Sequence, residues 1–121
     1  MAVRADFLET FQRHVTGMGL DAYSDRMRLV ARGKLENGEP DGQTYLDLAL
    51  KSGLKARAAD PSIPTYLLHI AECLELAQRF VEAEEGYEAF IREQSQYPDE
   101  TAGQELIMIA KARIAELRRR V

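Results

Sequence analysis

Apolar residues recur along the chain at spacings of three and four, and clusters of turn residues interrupt them. That period is helical, and six helices are predicted. The first covers residues 4–18, with Phe7, Leu8, Phe11, Val15 and Met18 on one stripe. Gly17 and Gly19 predict a break there, with Asp21 or Ser24 capping a second helix over 22–37. That helix carries Tyr23, Met27, Val30, Ala31 and Leu35. Asn37-Gly38-Glu39-Pro40-Asp41-Gly42 reads as a loop. A third helix spans 43–59, where Gly53 suggests a close approach by a neighbouring helix. Asp60-Pro61-Ser62-Ile63-Pro64 ends it.

The stretch from Tyr66 to Ile91 is the most regular part of the chain. It divides into a fourth helix over 64–77 and a fifth over 80–96. Gln78-Arg79 between them is short enough to require an antiparallel hairpin. Tyr97-Pro98-Asp99-Glu100 breaks the pattern, and a sixth helix runs over 101–120. Its expected buried stripe is Leu106, Ile109, Ala110, Ile114 and Leu117.

The chain is also self-similar. A large apolar residue precedes a β-branched one by three and an alanine by four in three places. These are Met27, Val30, Ala31; Leu67, Ile70, Ala71; and Leu106, Ile109, Ala110. A helical repeat of about 40 residues would give that spacing, with each alanine admitting a neighbouring helix.

Residues 65–98 resemble a tetratricopeptide repeat. Ile70 and Ala71 stand at its Leu-Gly pair, Leu74 at the following tyrosine, and Ala83 at the small residue of the second helix. Tyr87 takes the aromatic position and Pro98 closes the unit. Leu67 in place of the first aromatic, Phe90 in place of a second small residue, and the late Pro98 depart from the pattern. The Phe90-Ile91…Tyr97-Pro98-Asp99 ending is similar to longer-helix versions in bacterial envelope scaffolds. Residues 22–61 are a more degenerate copy. The resemblance implies a single all-α domain over 1–121, a solenoid of about six antiparallel helices. Its first helices would line a concave groove. The register places Arg28, Arg32, Leu68, Glu72, Glu75, Ile107 and Lys111 in that groove. Arg32, Glu72 and Lys111 would stand in a row of alternating charge. Such a row either knits neighbouring helices, at ~0–1 kcal/mol per exposed pair, or meets a partner.

Composition adds exclusions. Val and Thr are sparse and Trp is absent, in keeping with an all-α chain. A net charge of −4 argues against general nucleic-acid binding. No apolar run reaches the ~20 residues of a membrane span. The first residues lack the apolar core of a secretion signal, so the cytoplasm is the expected location. Cys73 is the one cysteine and reads as a buried apolar residue rather than a nucleophile. His14 and His69 are isolated from any metal-ligand spacing. No phosphate loop, nucleophile elbow or paired-carboxylate motif is present. No cofactor, metal or catalytic residue is therefore expected, and the chain does not read as an enzyme.

Two charged surfaces remain. Glu82, Glu84, Glu85 and Glu88 form either a solvated outer face or an attraction for a basic partner. Arg118-Arg119-Arg120 complements a helix C-terminus; aromatic residues interleaved for nucleic-acid stacking are lacking. The first expectation is a protein-binding adaptor or small chaperone that cradles a peptide or helix. Class-two secretion chaperones are similar in size and build. The second is a structural subunit that self-associates, or docks into a complex, through apolar end helices.

Overall fold

The computed structural model describes residues 2–120, with side chains from residue 6 onward. The described residues form five helices: α1 (Ala2–Glu36), α2 (Gly42–Ala59), α3 (Thr65–Leu76), α4 (Phe80–Gln94) and α5 (Thr101–Arg119). They fall into two compact units, Met1–Ile63 and Pro64–Val121.

The first unit is an antiparallel pair of helices. The two helices expected before the loop are a single one, α1, about 52 Å long at 1.5 Å per residue. Gly17 and Gly19 do not break it. Glycine costs about 1 kcal/mol against alanine in a helix but does not forbid the helical backbone, and no proline stands nearby. Gly17 is buried instead, as are Ser24 and Ala31 at intervals of seven. On α2 the buried residues are Gly42, Leu46, Ala49, Ser52, Gly53 and Ala56. Small residues on both sides let the backbones approach. Two one-carbon hydroxyls therefore reach across the seam. Ser24 Oγ donates to the Ala49 carbonyl at 2.6 Å and Ser52 Oγ to the Leu20 carbonyl at 2.7 Å. Ser24 is thus a bridge in mid-helix and not a cap.

The turn between the helices is fixed by Gly38, whose φ of 69° suits a residue without a Cβ. Lys34 closes it, with Nζ 3.1 Å from Asp41 and 5.2 Å from the Tyr45 ring centroid. Gly42 faces Leu35 so closely that a Cβ there would lie 2.9 Å from Leu35 Cδ2.

The second unit is a three-helix stack in which α4 packs against both α3 and α5. Its core is made of large side chains. Tyr66, Leu68, Ile70 and Leu74 come from α3, Tyr87 and Phe90 from α4, and Ile107, Ile114 and Leu117 from α5. The α3–α4 hairpin turns through three residues, Ala77, Gln78 and Arg79, with Gln78 at a φ of 62°. A Cβ on Gly86 would sit 3.0 Å from the Ala71 Cβ, so that glycine lets the two helices touch.

Two expectations shift in α5. Ile107 is buried where Leu106 and Ile109 were expected, and Ile109 is half exposed. The buried stripe is Gly103, Ile107, Ala110, Ile114 and Leu117, spaced by fours and threes. Gly103 sets this rotation, because its missing side chain leaves room for Gln94 of α4. The alanines of the three repeated triples, Ala31, Ala71 and Ala110, are all fully buried.

Candidate interaction surfaces

The residues expected to line a groove have different environments. In the first unit, the Arg28 guanidinium binds Asp25 at 3.0 Å, and Arg32 pairs with Glu36 at 3.3 Å, one turn along. In the second, Leu68 and Ile107 lie in the core at 2% and 6% exposure. Glu72 is half-buried and Lys111 is exposed. Glu75 accepts a hydrogen bond from the Tyr87 hydroxyl at 2.8 Å and is gripped by both arms of the Arg113 guanidinium.

Glu75–Arg113 is an ion pair between α3 and α5 that the sequence reading did not anticipate. Its signal was present: Glu75 follows the buried Ala71 by four and Arg113 follows Ala110 by three, the same face of each helix. Burial pushes the Tyr87 phenol up, and its bond to Glu75 adds to the effect. The Glu75 hydrogen bond in turn raises the Arg113 guanidinium. These groups brace a core, with the phenol locked in its protonated, donating form.

On α5, Arg118 reaches Glu84 at 2.6 Å and Glu88 at 3.1 Å, both on α4. Part of the expected acidic face therefore neutralises part of the expected basic end. Cys73 is fully buried. No group of three or more metal-ligating side chains occurs among the described residues. No helix among them is long and apolar enough to cross a membrane.

A polar cluster closes the far end of the first unit. His14 Nδ1 lies 3.0 Å from Asp60 Oδ2, and Ser62 Oγ donates to Asp60 Oδ1 at 2.6 Å. The Ser62 hydrogen bond holds the Asp60 carboxyl below its usual range; burial opposes it and His14 assists. Ser62 is bonded to the carboxylate rather than to the imidazole. The cluster ties α1 to the end of α2.

A row of exposed apolar residues runs along α1. Phe7, Leu8, Phe11, Val15 and Met18 share a face, as the sequence pattern indicates, but each is between 46% and 67% exposed. At 100° per residue this face points away from the seam residues Gly17, Ser24 and Ala31. The Phe7 and Phe11 rings stack with centroids 6.5 Å apart. The opposite side of the same segment is polar, with Glu9 and Arg13 paired at 3.4 Å. Smaller apolar exposures occur at Met108 and Ile109 on α5 and at Val81 on α4. A shallow open depression of about 400 Å³ lies on the side of α2 away from α1, with Leu50, Leu54 and Ala58 flanked by Lys51 and Lys55.

No family model matches this chain, and neither a curated protein nor a solved structure matches it.

Proposed function

We propose that this chain is a non-catalytic protein–protein interaction subunit that docks through the outward face of α1. One observation carries this reading. Leu8, Phe11, Val15 and Met18 follow the three-four-three spacing of a helix-pairing seam, yet they are exposed. A contiguous apolar patch of this kind on a folded chain marks a surface that another protein covers. A second helix laid along it is the natural occupant, because the spacing repeats once per two turns.

A peptide-cradling groove on Arg28, Arg32, Leu68, Glu72, Glu75, Ile107 and Lys111 has less support. Leu68 and Ile107 are spent on the core, and Glu75 is bound to Tyr87 and Arg113. Met108 and Ile109 favour a second, smaller contact on α5, where 70% and 53% of each residue is exposed.

Site-specific photo-crosslinking in the native cell tests the reading. A benzophenone side chain at Val15 is expected to trap a protein, whether a second copy or a different chain. The same group at Glu85, exposed on α4, serves as the control. If Val15 and Glu85 both return uncoupled chain, α1 is not a docking surface.

A further inference from the structure

We infer that the occupant of the α1 face is α1 of a second copy, laid antiparallel, with Leu8 against Met18 and Phe11 against Val15. This rests on the docking role of α1 proposed above and adds the partner and its orientation.

Area comes first. Five side chains exposed by 46–67% present roughly 500 Å² of apolar surface, taking about 150–250 Å² for a large side chain in full. Two copies facing each other could remove up to roughly 1,000 Å² before any flanking surface is counted, about the floor for a biological interface. One face is thus enough for a self-complementary, two-fold contact.

Charge comes second. The positions flanking the seam between Phe7 and Gly19 are Gln12 and His14, neither of them a carboxylate, lysine or arginine. The charged residues of this segment, Glu9 and Arg13, lie on the opposite side of the helix and neutralise each other. A second copy therefore meets no like charge on approach, and no fixed charge has to be buried.

Orientation follows from where α2 stops. Asp60 lies across from His14, so α1 residues 2–13 run past the end of α2 for about 18 Å. That overhang carries Phe7, Leu8 and Phe11 and has no helix of its own unit beside it. Val15 and Met18 lie where α1 is braced by α2. An antiparallel pair sets each overhang on the braced segment of the other copy. A parallel pair would leave both overhangs leaning only on each other, and would place Phe11 on Phe11 and Val15 on Val15. The antiparallel register sets the large Phe11 against the smaller Val15, and helix dipoles favour the same sense.

Light scattering and sedimentation of the purified full chain over a range of concentrations test the partner. The wild type is expected to approach twice the mass of one chain as concentration rises. Phe11→Glu should weaken this at least about 100-fold, as for a central interface residue. Unchanged far-UV circular dichroism would show that the variant still folds, since Phe11 is outside both cores. Glu85→Gln, on α4, should dimerise as the wild type does. Disulfide trapping tests the orientation: a mixture of Leu8→Cys and Met18→Cys chains should form the mixed dimer over either homodimer, Cys73 being buried. Preferred Leu8→Cys homodimers would overturn the antiparallel arrangement. A wild type that stays monomeric throughout would overturn the inference. If Val15 crosslinking still traps a different protein in that case, the docking role stands and only its occupant is wrong.

Discussion

The two halves of this chain solve the same problem in opposite ways. In the first unit small residues are inside and large ones outside. Among its described residues Leu46 is the one large apolar side chain that is buried, while Phe7, Leu8, Phe11, Val15 and Met18 are exposed. In the second unit the large residues are inside, led by Tyr87 and Phe90. One is held by close backbone approach and two crossing hydroxyls, the other by burial of large apolar surface. Hydrophobic stabilisation scales with the area removed from water, at about 25 cal/mol per Å². A hairpin seam of glycine, alanine and serine removes little area, so the first unit gains most from an added partner.

That contrast can be broken by substitutions of opposite sense. The largest effect is expected in the second unit: Phe90→Ala should cost about 3–5 kcal/mol, because it empties a fully buried position. The two units need not unfold together, so amide hydrogen exchange, read unit by unit, is the measurement. Faster exchange in α1 and α2 alone would show that the large-residue core is elsewhere.

Enlargement is the corresponding insult to the first unit. Ala49→Leu inserts a branched side chain beside the Ser24 bridge and should cost about 1–3 kcal/mol. Exchange in α1 and α2 should rise. An unchanged or more stable first unit would mean that the seam is looser than its two hydroxyl bridges imply.

A pH effect of intermediate size is expected at the hairpin's end. Asp60 is held below its ordinary range, chiefly by Ser62. Its ionised form therefore adds stability that is fully present above about pH 4 and is lost as pH falls through the lowered value. Asp60→Asn should cost about 1.5 kcal/mol at pH 7, the lower end of the worth of a hydrogen bond to a charged group. The difference from the wild type should shrink toward pH 2 in urea titrations. An equal deficit at both pH values would assign the loss to packing. Smallest of all, Val81→Ser is expected to change stability by less than about 0.5 kcal/mol, since the side chain is three-quarters exposed.

The helical class and most element boundaries were legible in the sequence. Spacing placed α2 to α5, and the turn at Gln78-Arg79 required the α3–α4 hairpin. The break expected in α1 came from taking glycine as punctuation. Gly17 sits at the first of three small positions seven apart on α1, and that heptad of small residues was the better signal. It says close packing where the glycines taken alone say break. On α5 the expected stripe ran through Leu106 and Ile109, whereas the buried face runs through Gly103, which leaves room for Gln94, and Ile107. The expected groove depended on a register that put Leu68 and Ile107 outside. Both belong to spacings that fit a core equally well, and only packing tells the two apart. The α1 stripe was visible from the start, but a periodic pattern does not say whether the covering helix is in the same chain.

Thiol labelling puts that last point to the test. Val15→Cys and Ser24→Cys are close in size to the residues they replace, and lie on the two opposite faces of α1. Ser24→Cys should react slowly at every protein concentration, being in the seam. Val15→Cys should react fast in dilute protein and progressively slower as concentration rises and the face is covered. A Val15→Cys rate that is fast at all concentrations, or as slow as that of Ser24→Cys even at high dilution, would contradict an outward apolar face covered by association.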